Sequence, residues 1–249
     1  MKLKIGKDGL AELFSESSSI VHRQMTVYLI GGGAMCFRNQ KNATKDVDLI
    51  LASDTDYHDF SAALGKLGYL KQTNASQTYK KMETSGIWVK ENGGRFDLFV
   101  RKVCNALELS QDMVKRSELL GTYGNLEVRM LSNEDIILFK GITERFADTN
   151  DIAQIIRTSN VDWKIIENEC IHQSSKERWF GALIGKFDDI EEKHGITIPI
   201  YGRIQRLWFK DVLREAYERR EKEGKSHDEI VKELIGMGFT REEITAARL

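Results

Sequence analysis

The chain has 249 residues, of which 41% are hydrophobic and 30% charged, with a formal net charge of -1. This is enough apolar content for one large domain or two small ones, and the charge balance excludes global attraction to nucleic acid or a membrane, so any such contact needs a local patch. Cys36, Cys104 and Cys170 are few, widely spaced and without a CxxC, and MKLKIGKDGL has no signal-peptide core; with no apolar run of bilayer length, a reduced cytoplasmic chain with no membrane partner is expected.

In chain order, Asp8 to Gln24 reads as a helix with Leu10, Leu13, Phe14, Ile20 and Val21 apolar, crossed by a serine-rich SESSS. Val27 to Ile30 reads as a strand stopped by Gly31, Gly32 and Gly33. A short helix follows, then a strand in which Asp46 and Asp48 alternate with Val47, Leu49 and Ile50. Thr55 to Leu67 is an amphipathic helix closed by Gly68. Tyr69 to Thr84 is polar and without a period. Ile87 to Val89, a turn at Asn92, Gly93 and Gly94, and Arg95 to Val100 predict a hairpin.

Gln111 to Leu119 reads as a helix and Leu126 to Leu131 as the last strand. Ser132, with Asp135 three residues on, caps a helix burying Ile136, Ile137, Phe139 and Ile142, and DIAQIIRTS continues as a second helix. From Val161 the strand signals stop. Trp179 to Lys193, Ile204 to Lys222 and a terminal hairpin capped at Ser226 and Thr240 read as helices. The expected fold is therefore α+β, a mixed sheet with flanking helices followed by an all-α region, divided into residues 1–158 and 159–249.

Strand side chains alternate between faces, so Asp46 and Asp48 project from the same one. Two adjacent carboxylates repel, which raises the pKa of at least one unless a cation lies between them; the pair predicts a site for a hard divalent ion with oxygen ligands. In RFDLFV the same period puts Arg95, Asp97 and Phe99 on one face. Beside the Asp46 strand, Asp97 would complete a metal site. The glycine turn lacks the third glycine of a dinucleotide fingerprint, Cys36 standing there, and lacks the Lys-Ser/Thr of a P-loop, Ala34 and Met35 standing there. It is left as a phosphate cradle at a helix start or as a tight turn that glycine alone permits.

Ile30, Gly31 and Gly32 followed by Asp46-Val47-Asp48 resemble the signature of the nucleotidyltransferase superfamily typified by DNA polymerase beta. GGGAM with Arg38 and TKDVDL, and later Lys140, Arg145, Asp148 and Asp151, resemble the minimal nucleotidyltransferases, including the AbiEii-type toxins. The resemblance covers Thr26 to Ile156. It implies a magnesium-dependent enzyme that transfers a nucleoside monophosphate from a nucleoside triphosphate to an RNA, a tRNA among them, or to a protein. Asp46, Asp48 and Asp97 would hold two magnesium ions and act as the catalytic carboxylates; Gly31, Gly32, Arg38, Thr44, Lys45 and Lys140 would bind the nucleotide. A toxin role would bring an antitoxin partner.

Residue by residue, other readings stand beside these. Thr44 could cap, Arg38 could pair with a carboxylate, Lys140 could extend to solvent, and Asp148 to Asp151 reads as a helix cap and solvated face. The alternative for the whole is a non-catalytic nucleotide- or partner-binding module on the same fold.

Overall fold

The computed structural model describes residues 4–72, 85–91, 93–173 and 180–248. Most of the unpatterned stretch from Tyr69 to Thr84, Asn92 of the expected hairpin turn, and Trp179 lie outside them. The first half comprises α1 (Lys7–Ser18), β1 (Met25–Ile30), α2 (Gly31–Phe37), β2 (Val47–Leu51), α3 (Asp54–Lys66), β3 (Leu70–Lys71), β4 (Gly86–Val89) and β5 (Arg95–Val100). A small ribbon, β6 (Lys102–Val103) and β7 (Leu107–Glu108), leads to α4 (Gln111–Arg116), β8 (Glu118–Tyr123) and β9 (Leu126–Met130). Helices follow: α5 (Asn133–Gly141), α6 (Phe146–Thr158), α7 (Trp163–Gln173), α8 (Phe180–His194), α9 (Tyr201–Lys222), α10 (His227–Gly236) and α11 (Arg241–Arg248).

The mixed α+β architecture expected from the sequence is the one observed. Seven strands form one sheet in the order β3-β4-β5-β2-β1-β9-β8. β1 runs antiparallel to β2 and parallel to β9, and β2 runs parallel to β5. β1 to β2 and β4 to β5 are neighbours by short connections; the β2–β5 and β1–β9 pairings are long-range.

Two predicted helices end early, and β3, β6, β7, β8 and α7 had not been predicted. α1 ends at Ser18 rather than Gln24, because the serine hydroxyls turn back on their own helix: Ser17 donates to Leu13 O (2.7 Å), Ser18 to Ser15 O (2.8 Å) and Ser19 to Glu16 O (2.7 Å). The helix expected to reach Leu119 stops at Arg116, and Glu118 to Tyr123 form an edge strand, bulged between Leu119 and Gly121. Gly124 with φ of 54° supplies the turn into β9. The Ser132 cap, accepting from Asp135 N, and the Ser226/Glu229 capping box stand as expected.

The main core joins Leu10 and Phe14 of α1, Leu29, Leu49 and Phe96 of the sheet and Phe60 of α3, and continues through Ile166 and Phe187 to Ile204. Leu213, Tyr217, Ile230, Leu234 and Ile244 form a second, smaller core. Between sheet and helices, Arg116 binds Asp135 through Nε (3.0 Å to Oδ2) and Glu169 through Nη2 (2.7 Å). Both carboxylates are buried, so the guanidinium fastens α4, α5 and α7 together and sets where α5 lies against the sheet.

Candidate active site

Strand register brings the acids together. Asp48 faces Ile30 across β1 and β2, and Asp97 across β2 and β5. In-register partners share a face, so Asp48 and Asp97 project to the same side; Asp46 lies not in the strand, as the alternation predicted, but in a bend just before β2, and reaches the pair with its Oδ1 3.6 Å from Arg95 Nε. Asp97 is 1% exposed, while Asp46 keeps 21% of its side chain open. Burial first, then the neighbouring Asp48, pushes the Asp97 carboxyl up to about 7 despite the bond from Arg95. Burial also raises Asp48, to about 6, with Asp46 adding to the rise and Arg145 and Lys140 opposing it.

Arg95 stands among these acids. On the same face as Asp97, it donates from Nε to Oδ1 (2.6 Å) and from Nη2 to Oδ2 (2.8 Å), and its Nε lies 3.6 Å from Asp46 Oδ1. Among the described residues no three carboxylate, histidine or cysteine side chains converge as a ready ligand cluster. Asp48 and Asp97 share a face, with the guanidinium between Asp97 and Asp46.

The glycine turn is shaped around Asp48. Gly31 adopts φ of 62°, and a Cβ there would collide with Asp48 Oδ2 and lie 3.0 Å from Cγ. Both the left-handed backbone and the close approach require glycine. At Gly32 a Cβ would lie 2.5 Å from Thr44 Oγ1, and that hydroxyl donates to Asp46 O (3.0 Å). Thr44 thus braces the loop carrying Asp46. Gly31→Ala is expected to lower stability by about 1–3 kcal/mol and to move Asp48 off its position; urea unfolding followed by circular dichroism checks the first effect.

Lys140 is neither at the surface nor free. It is 4% exposed, and its Nζ donates to Asp148 Oδ1 (2.8 Å) and Asp151 Oδ2 (2.7 Å). The acidic run read as a solvated face is instead built into the interior: Asp148 is 2% exposed and also receives Arg145 Nε (2.9 Å) and Thr143 Oγ1 (2.5 Å). Lys41 grips both oxygens of Asp151 at 2.9 Å. The α5–α6 turn folds these charges inward because each finds a partner there. Burial opposes charge on Asp148, but Lys140 and Arg145 more than offset it and hold the carboxyl well below its ordinary value.

Lys140 and Arg145 line, with Gly31, Asp48, Ile30, Phe99 and Phe139, a cavity of about 20 Å³, room for a water or a bare ion. Arg38 lies elsewhere, its Nη2 3.3 Å from Glu118 on β8 and its Nη1 buried without a partner. Lys45 is exposed beside Asp46. Sequence reading missed Arg95 as a partner of the acids, although its spacing from Asp97 was visible, and missed Lys41, for which no sequence signal stood out.

No curated protein matches this chain. Similar solved structures include a crystal structure of ANT(2")-Ia in complex with adenylyl-2"-tobramycin, at 12% identity, covering 67% of this chain and 95% of that one, with a TM-score of 0.44. A solution structure of the antibiotic-resistance factor ANT(2'')-Ia, at 14% identity, covers 76% of this chain and 98% of that one, with a TM-score of 0.41. Residues 8–193 match the model of the family described as "Nucleotidyltransferase of unknown function (DUF6036)". With well over half of its length matched, the chain belongs to this family of nucleotidyltransferases.

Proposed function

We propose that this chain is an active, magnesium-dependent nucleotidyltransferase with Asp46, Asp48 and Asp97 as its catalytic carboxylates. The observation that carries this reading is the register that sets Asp48 beside Asp97, with Asp46 in the bend just before β2 and the glycine turn against Asp48. The donor set fits the metal: three carboxylates are hard oxygen ligands, and two of them have raised pKa values that a divalent cation would bring down. Magnesium bound there would neutralise the triphosphate and align the attacking oxygen with the α-phosphorus.

The chain's own residues supply the rest. Asp48, on β2, and Asp46, in the bend just before it, would hold the metal. Asp97 lies on the neighbouring strand, where a carboxylate can accept the proton of an acceptor hydroxyl. Gly31 and Gly32 would offer backbone N–H groups to phosphate oxygens. Lys140 and Arg145, at the cavity beside Asp48, provide fixed positive charge without a desolvation cost at the moment of binding, because their partners already hold them in place. Lys45, exposed beside Asp46, would reach outlying phosphates, whereas Arg38, held against Glu118 on β8, is left out of the nucleotide contacts.

Helices after residue 158 would select the acceptor, and one local patch on them suits RNA. On α9, Arg206, Phe209 and Lys210 are exposed within two turns, offering phosphate contacts and a ring for base stacking. The resemblance to AbiEii-type toxins adds the reading of a cytoplasmic enzyme that disables a tRNA or another translation component and is restrained by an antitoxin. Incubation with each α-labelled nucleoside triphosphate, magnesium and total cellular RNA or total protein tests the proposal. Label is expected in RNA; label in protein alone would move the acceptor class, and nucleotide binding without transfer to either would favour the binding-module alternative.

The raised carboxyls set a pH dependence. Asp97 and Asp48 bind protons more tightly in the folded chain than in the unfolded one, so the metal-free protein loses stability as pH rises from the ordinary carboxylate range through about 7. Magnesium must displace those protons. Its affinity is therefore expected to rise with pH up to about 7 and then level, and thermal shifts with and without magnesium across pH 5 to 8 would show the two curves separating.

A further inference from the structure

On the reading that Asp46, Asp48 and Asp97 hold the metal, we propose that Arg95 is a positioning residue for it: an internal counter-cation that occupies the acids until a divalent ion displaces it, and so sets how readily the site loads. Its guanidinium uses both oxygens of Asp97, at 2.6 and 2.8 Å, and extends toward Asp46 to 3.6 Å. Asp97 stands on β5 and Asp46 in the bend that leads into the neighbouring β2, so the guanidinium spans from one segment to the other, between two acids that would hold the ion.

The two occupants compete for the same carboxylate oxygens. A divalent ion at Asp97 would take an oxygen that Arg95 now holds and would sit within contact range of a positive charge. Arg95 also gives Asp97, at 1% exposure, the partner it needs, since an unpartnered carboxylate at that depth would be costly. Arg95 is the first residue of β5, and its side chain keeps 11% exposure.

The test is manganese binding to nucleotide-free protein at pH 8, by calorimetry and by the electron paramagnetic resonance of free ion, for wild type, Arg95→Met, Arg95→Lys and Asp48→Asn. Arg95→Met should bind manganese about tenfold tighter or more, because no charge-assisted pair has to be broken. Arg95→Lys, which keeps the charge but loses the fork, should fall between it and wild type. Metal-free Arg95→Met should melt below wild type and recover with manganese. Equal or weaker binding by folded Arg95→Met, with wild type still binding, would overturn the role of Arg95 alone. Wild type that binds no manganese, like Asp48→Asn, would overturn the metal site and with it the role of Arg95.

Discussion

Asp48→Asn is expected to reduce nucleotidyl transfer by about a thousandfold or more, the loss of roughly 4 kcal/mol of transition-state stabilisation, while leaving the fold intact. Asp48 sits at the junction of the site. It lies beside Asp97 in register and directly over Gly31, and it lines the cavity shared with Lys140 and Arg145. The amide has nearly the same shape, so the packing around Gly31 survives, but it can no longer serve as an anionic ligand. Removing a carboxylate that repels Asp97 should also let Asp97 ionise more easily, so the metal-free variant is expected to be at least as stable as wild type at pH 7. Steady-state transfer and urea denaturation, measured on one preparation, separate the two effects; a variant that loses activity by unfolding would contradict this account of the site.

Lys140→Met is expected to do the opposite, destabilising the fold by about 3 kcal/mol before any effect on catalysis is reached. Lys140 lies between Asp148 and Asp151, both of which it binds directly, and Asp148 is almost fully buried. Its removal leaves Asp148 to Arg145 and Thr143, and Asp151 to Lys41. The double variant Lys140→Met/Asp148→Asn should recover part of the loss, since the stranded charge goes with its partner. Because Asp148 and Asp151 are held below their ordinary values, the network stabilises the chain above the carboxylate range and weakens as pH falls into acid. That sign is opposite to the one at Asp97 and Asp48. The two clusters are distinguishable by pH alone: the Lys140 variant should lose its stability deficit in acid, whereas the sheet acids become less costly there.

Much of the site was legible because it is local. A glycine turn that ends a strand, two aspartates separated by one residue and a third at mid-strand all follow from periods of two and from the conformational freedom of glycine. What the sequence did not carry was the pairing of β2 with β5, a long-range choice made by packing, and it is this register that turns a lone Asp97 into the neighbour of Asp48. Arg95 illustrates the limit. Its place on the face of Asp97 was readable, but its reach to Asp46 depends on that same register. Lys140 and the acids after it looked solvent-facing because a charged residue on an amphipathic helix usually is; the turn between α5 and α6 overrides this by supplying every charge with a partner. β8 had a signal that went unused: Gly124 and Asn125 between two apolar runs are hairpin chemistry, and they mark the end of an edge strand rather than a loop after a helix.

The central claim, that these three acids direct transfer of a nucleoside monophosphate, is tested most directly by following the two ends of the triphosphate at once. Purified protein would be incubated with magnesium, cellular RNA and nucleoside triphosphate labelled at either the α or the γ phosphorus, beside Asp48→Asn. The account predicts α label in the acceptor, γ label released as pyrophosphate, and neither with the variant. Transfer of the γ label, or α-label transfer that survives in Asp48→Asn, would contradict it.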